Sequence, residues 1–221
     1  MTDDETAAPH IAIVGYGGSA RSVQKAFEYV GATAVITLDH SDIASSDGIV
    51  LPGGLSFGHA MAQIRTAQLK GVLGEALKER TPVLGIGLGM HLFYEHSAES
   101  DDTQGLGFLS GAVELLPSTL DHKVPYTARM PVTWHQSSPL RKGLDDACKF
   151  PHGHSYAVVP EDDHEILATA EHAEEFVTAV QRGTIYGVQF HPEKSRPCGL
   201  QLLKNYVAEC TRTTETGTDH G

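Results

Sequence analysis

The sequence predicts an α/β fold in three layers, a mostly parallel sheet covered by helices on both faces. Three observations carry that prediction. Short apolar runs recur at 11–14, 34–38, 48–51 and 83–86; stretches with helical spacing lie between several of them; and glycine-rich or Pro-Gly turns end the runs abruptly. Strands that alternate with helices form parallel sheets, because each crossover lays a helix on a sheet face.

Taken in order, the run 11–14 ends at Gly15 and a glycine-rich turn, after which Val23, Phe27 and Val30 fall at helical spacing up to Gly31. This is one strand-turn-helix unit. The runs 34–38 and 48–51 repeat the buried-strand pattern, and Pro52-Gly53-Gly54 stops the second. A helix is expected over 57–78, a strand over 83–86 and a helix over 88–95, so that Gly85-Ile86-Gly87-Leu88-Gly89 spans a tight strand-to-helix turn. From 105 to 154 the helical period fades into short β-like pieces broken by Pro125, Pro131, Pro139 and Pro151, which predicts a mixed or antiparallel extension. Residues 176–181 and 185–190, joined by Arg182-Gly183-Thr184, read as a hairpin, and a last helix over 200–209 covers the sheet. No repeat of 20 to 50 residues or low-complexity linker divides the chain.

The 221 residues suit one domain, expected over 11–210 between polar, disordered tails at 1–10 and 211–221. With 28 Asp+Glu against 16 Lys+Arg, the net charge of -12 opposes binding to nucleic acid or anionic lipid. The start lacks a secretory pattern, and no apolar segment reaches the roughly 18 residues of a membrane span, so a soluble, cytoplasmic protein is expected. Cys148, Cys198 and Cys210 show no CxxC spacing and are read as reduced thiols.

The chemistry begins at His191-Pro192-Glu193, directly after an apolar strand. Proline fixes the local backbone, and a carboxylate beside an imidazole holds its tautomer and stabilises the imidazolium, the general-base half of a triad. With its surroundings, Tyr186-Gly187-Val188-Gln189-Phe190-His191-Pro192-Glu193-Lys194-Ser195 resembles the signature of the class I glutamine amidotransferases. Pro82-Val83-Leu84-Gly85-Ile86-Gly87-Leu88-Gly89-Met90 resembles that family's nucleophile elbow, and Leu51-Pro52-Gly53-Gly54 its oxyanion strand. Arg21-Ser22-Val23, Phe57-Gly58, Gly105-Leu106-Gly107 and His154-Ser155-Tyr156 are most similar to the glutaminase subunits of imidazole glycerol phosphate synthase.

The resemblance implies a flavodoxin-like sheet with the crevice at its carboxyl ends, a glutamine ligand, no cofactor, and a (β/α)8-barrel cyclase as partner in a heterodimer. It makes His191 the general base and Glu193 its orienter. It gives backbone N–H groups near Gly53, Gly54 and Leu88 the oxyanion hole, and sets His154, Ser155 and Tyr156 at the amino-acid end of glutamine. Two departures stand out: Gly87 occupies the position of the nucleophilic cysteine, and His91 that of a glutamine in the same pocket. The first loop and the segment Pro131-Val132-Thr133-Trp134 are also each one residue short, towards the side where the family meets its cyclase. Two functions follow as expectations: a subunit without glutaminase activity that binds and activates a barrel cyclase, or an ammonia-supplying subunit whose nucleophile is altered.

Other readings compete. Gly15-x-Gly17-x-x-Ala20 after a strand, with Asp39 at the distance of a ribose-binding acid, fits a dinucleotide site, although a plain glycine-rich turn explains it more simply. His152-x-His154 with His122 or His135 allows a metal site on paper, but no Cys, Asp or Glu stands at a zinc spacing, and no metal is expected. Met61 and Met90 read as core, and Trp134 as packing or interface.

Overall fold

The computed structural model describes residues 8–217. In chain order the regular elements are β1 (His10–Val14), α1 (Ala20–Tyr29), β2 (Thr33–Thr37), α2 (His40–Ala44), β3 (Gly48–Leu51), α3 (Phe57–Thr66), α4 (Leu69–Lys78), β4 (Val83–Ile86) and α5 (Leu88–His91). There follow β5 (His96–Ser97), β6 (Gly111–Leu115), β7 (Tyr126–Pro131), β8 (Thr133–Trp134), β9 (Lys149–His154), β10 (Tyr156–Pro160), β11 (Ile166–His172), β12 (Glu174–Arg182), β13 (Ile185–Val188) and α6 (Cys198–Gly217).

The sheet runs β2-β1-β3-β4-β13-β12-β10-β6-β5, with β11 and β8 attached beside β12. From β2 to β13 every neighbouring pair is parallel. The pairs β13-β12, β12-β10 and β10-β6 are antiparallel, as expected for the second half, and β7 pairs with β9 in a separate ribbon. The parallel part thus has the flavodoxin-like order, with the chain reversing direction of growth between β1 and β3. Open α/β sheets bind ligands at such a switch point, beyond the carboxyl ends of the strands.

Alternation along each strand builds a core on either face. Ile11 and Ile13 pack with Val23 and Phe27 of α1 and with Leu202, Leu203 and Tyr206 of α6. Ala12 and Val14 face the other way, onto Phe57, Met61 and Ile64 of α3 and Leu69 and Leu73 of α4. Each fully buried large apolar side chain stabilises the fold by about 1.5–3 kcal/mol, so both helical layers are held by ordinary apolar burial. Met61 and Met90 belong to this core, and Trp134 is half-buried with the Arg141 guanidinium over its ring.

The structure corrects four expectations. The helix expected over 57–78 is two helices: Ser56 Oγ accepts the His59 N–H at the start of α3, and Gln68 adopts a left-handed φ of 54° between α3 and α4. Neither Gly nor Pro marks that break. The helix over 88–95 shrinks to the four residues of α5. The last helix extends to Gly217, through residues 211–217 that were expected to lie in a tail; Thr211 begins this extension with its hydroxyl donating to Val207 O. Of the tails expected over 1–10 and 211–221, residues 1–7 and 218–221 lie outside the described residues, and His10 already belongs to β1.

The fourth correction concerns sulfur. Cys148 and Cys198 are joined in a disulfide across 50 residues, and Cys210 is a buried thiol outside that bridge. The bridge ties the loop before β9 to the start of α6. Closing a loop of that length restricts the unfolded chain, so reduction is expected to cost about 2–4 kcal/mol. Thermal unfolding with and without a strong reductant measures it, and an unchanged midpoint would contradict the expectation.

Candidate active site

Four strand ends meet at one crevice. β1, β3, β4 and β13 hand over to the turns at Gly15, Pro52, Gly87 and Gln189, and these turns surround a cavity of about 640 Å³. Gly53, Gly54, Gly87, Leu88, His91, His154, Ser155, Tyr156 and His191 all line it. Glu193 stands just behind His191. The structure therefore brings together every residue that the sequence singled out for the site.

Gly87 forms the elbow between β4 and α5 with φ 55° and ψ -116°, a region that side-chain-bearing residues enter only under strain. Its N–H donates to Val188 O at 2.7 Å, and its carbonyl accepts from Met90 N–H at 3.0 Å, so the turn is fixed from both sides. A Cβ at this position would lie 3.5 Å from His191 Cε1 and 3.8 Å from Nε2, in ordinary contact. The bare side of Gly87 thus faces the imidazole. Gly89 has a different reason to be glycine: a Cβ there would overlap Leu51 O, because α5 lies directly on the end of β3.

His191 is held from behind. Its Nδ1–H donates to Glu193 Oε1 at 2.9 Å, and the Glu193 side chain is fully buried. Pro192 opens a short 3-10 turn that puts imidazole and carboxylate on one side of the bend, while the His191 N–H donates to Pro151 O at 3.1 Å. Glu193 Oε2 is buried with no hydrogen-bond partner among the described residues. A carboxylate on Nδ1 fixes the tautomer and the orientation of the ring, and leaves Nε2 towards Gly87.

The turn expected to supply the oxyanion hole is equally close. A Cβ on Gly53 would lie 3.2 Å from His191 Cε1, and one on Gly54 would overlap the Leu88 side chain. The loop after β1 closes over this strand, with the Ser19 N–H donating to Gly53 O at 2.8 Å and Tyr16 Oη to Pro52 O at 2.6 Å. Glycine at 53 and 54 lets three turns approach within contact distance.

With this geometry in hand, the comparisons are specific. A family model described as glutamine amidotransferase class-I matches residues 16–210. The chain belongs to this family. It is 38% identical over 197 residues to the imidazole glycerol phosphate synthase subunit HisH of Moorella thermoacetica, covering 89% of this chain and 93% of that protein. The HisH of Salinibacter ruber is 39% identical, covering 93% of this chain and 96% of its own length. Among solved structures, PurLQS from Thermotoga maritima superposes with a TM-score of 0.69 at 17% identity, covering 93% of this chain and 98% of that one. The Trypanosoma brucei CTPS glutaminase domain with bound acivicin gives 0.65 at 18%, with 94% of each chain covered. These two likenesses show the fold; the HisH relatives make the chain a HisH-like amidotransferase.

In this amidotransferase the dinucleotide reading fails on both of its parts. The turn 15–20 is packed against the strand end at Gly53: a Cβ on Gly18 would overlap Gly53 O, and the Ser19 N–H just before α1 donates to that same oxygen. Asp39 is the N-cap of α2, accepting from Ser41 N–H at 2.8 Å and from Asp42 N–H at 3.4 Å. The histidines considered for a metal have protein partners. His152 is bonded to Phe150 O at 3.1 Å and Thr178 Oγ1 at 2.8 Å, and His135 to Thr169 Oγ1 at 2.7 Å.

Several cavity residues were not found from the sequence. Glu99 lines the wall and accepts the Phe57 N–H at 3.1 Å, and Lys194 and Leu55 stand at the mouth. Gln189 is buried and its Oε1 accepts from His91 Nε2 at 2.7 Å. No periodicity signals a pair 98 residues apart.

Burial holds these imidazoles neutral. Desolvation pushes His91 and His152 down to about 4, and His154 down to about 3 with help from the neighbouring His152 and His91. The sign of the linkage follows. Between roughly pH 6.5 and 4 the unfolded chain binds more protons than the folded one, so stability falls as pH falls through this window. Unfolding free energies from urea titrations at pH 8 and pH 5 are expected to differ by an amount on the order of several kcal/mol, and substituting His152 is expected to shrink the difference. Equal unfolding free energies would contradict buried neutral histidines.

Proposed function

We propose that this chain is a HisH-like subunit that binds and activates a (β/α)8-barrel cyclase but does not hydrolyse glutamine by the thioester route. One observation carries the reading: the side of the elbow that faces His191 belongs to a glycine, which has no nucleophile. The base, its carboxylate and the oxyanion strand are assembled around that gap. Thioester formation needs sulfur within bonding reach of the amide carbon.

No other thiol is in position to stand in. Cys148 and Cys198 are bonded to each other. Cys210 is buried beside Gly48, at the opening residue of β3, whereas His191 lies beyond the carboxyl ends of the strands. Four strand residues separate those ends by about 13 Å, and burial keeps the Cys210 thiol protonated. These placements weigh against an altered nucleophile elsewhere in the chain.

His154, Ser155 and Tyr156 remain in the cavity wall, which supports glutamine as a ligand that is held without being cleaved. The HisH relatives, named as subunits of a synthase, support assembly with a partner in a heterodimer. Among the described residues no helix is long and apolar enough to cross a membrane. The test is reconstitution with an imidazole glycerol phosphate synthase cyclase subunit. A 1:1 complex on size-exclusion chromatography is expected, with ring formation raised when ammonium is the nitrogen source and not when glutamine is. No complex, or turnover supported by glutamine, would overturn the reading.

A further inference from the structure

The cavity beside Gly87 gathers three imidazoles whose tautomers are fixed by the groups behind them. A neutral imidazole has one N–H and one lone pair, so a bond to an oxygen that can only accept decides which nitrogen is which. Glu193 Oε1 takes the proton of His191 Nδ1, at 2.9 Å, and leaves Nε2 as the acceptor. Tyr156 O takes the proton of His154 Nδ1, at 2.9 Å, so that Nε2 is again the acceptor. Gln189 Oε1 takes the proton of His91 Nε2, at 2.7 Å, and Nδ1 carries the lone pair.

These lone pairs lack donors. His154 Nε2 is buried without a hydrogen-bond partner among the described residues, and His91, itself only 4% exposed, makes its one side-chain bond to Gln189. The charge around them is negative. Glu99 is in the wall, Glu193 lies behind His191, and the cation lining the cavity, Lys194, is exposed to solvent. A small cation made only of N–H donors matches both features.

We propose that this cavity is a binding site for ammonium, with His154 Nε2, His91 Nδ1 and His191 Nε2 as its acceptors. The proposal rests on the reading that Gly87 leaves no glutaminase nucleophile, and it gives such a subunit a means to collect nitrogen for its partner. Hydrogen bonds of about 2.9 Å allow acceptors to stand about 4.7 Å apart around a tetrahedral cation. A zinc ion with bonds of about 2.1 Å would need them about 3.4 Å apart. Among the described residues, no group of three or more His, Cys, Asp or Glu is arranged to hold a metal ion. The low basicity of His154 and His91 keeps both lone pairs available at neutral pH.

The test is a titration of the full chain, labelled with 15N in histidine, at neutral pH with ammonium chloride, sodium chloride and tetramethylammonium chloride, and separately with zinc chloride. Saturable shifts of His154 Nε2 and His91 Nδ1 are expected with ammonium alone, since tetramethylammonium keeps the charge but has no N–H. His154→Leu is expected to weaken binding about tenfold or more. If that variant fails to fold, the comparison of the three salts on the native chain still decides. No saturable shift with ammonium, equal shifts with all three salts, or a response to zinc chloride alone would overturn the proposal. Any of these with glutamine still uncleaved would sink this site only; ammonia released from glutamine by the native chain would sink the reading beneath it.

Discussion

Replacing Gly87 by cysteine is expected to raise glutamine hydrolysis on the order of 10³-fold or more over the native chain when a cyclase subunit is bound. The expectation is large because the rest of the triad is assembled. The nearest neighbours of a Cβ at 87 are His191 and Gln189 O, none closer than 3.5 Å, so the first side-chain atom fits without moving them. The free Nε2 of His191 then becomes its base. The cost falls on the backbone: cysteine at φ 55° is strained, and the variant is expected to be less stable by about 1–3 kcal/mol. Ammonia release and a urea midpoint, measured on the same preparation, check both halves. A well-folded variant that binds cyclase yet releases no ammonia would show that the cavity has diverged beyond its nucleophile, with His91 as the first residue to suspect.

Gly89→Ala is expected to have the larger structural effect. The new Cβ would overlap the backbone oxygen and carbon of Leu51, and neither can swing away as a side-chain tip would. The strain must lift α5 off β3, which displaces Gly87, Leu88 and His91 together. Overpacking of this kind costs about 1–3 kcal/mol, occasionally more, and contact with main chain puts this position at the upper end. Denaturant unfolding measures the loss. In the Gly87→Cys background, adding Gly89→Ala is expected to abolish the gained hydrolysis even where the chain remains folded. Gly71→Ala, on the exposed face of α4 with nothing near its Cβ, is the control: it should leave the hydrolysis unchanged and, through the better helix propensity of alanine, raise stability by about 0.5–1 kcal/mol.

The contrast between these two glycines also explains how much of the molecule could be read from its sequence. β1, β3 and β4 are buried on both faces, so they appear as unbroken apolar runs, and Gly15, Pro52 and Gly87 end them visibly. The site was legible for the same reason: its residues sit at strand ends, where the sequence changes abruptly from apolar to glycine or histidine. The break at Gln68 was not, since a non-glycine residue takes the left-handed turn and the apolar spacing continues across it. The extension of α6 past Glu209 was hidden by its threonines, which have low helix propensity. The pairs His91–Gln189 and Cys148–Cys198 arise only when distant segments close on each other, across 98 and 50 residues. Short-range pattern carries no trace of either. The second role of Gly89, contact with β3, depends likewise on the finished packing.

The most direct measurement is ammonia release from glutamine by the native chain saturated with an imidazole glycerol phosphate synthase cyclase subunit, compared with the cyclase alone. Release equal to that blank is the expected result, because Gly87 leaves His191 without a sulfur to activate. Release above the blank that disappears in a His191→Ala variant would contradict it, and would mean that this site cleaves glutamine by a route that needs no thiol at the elbow.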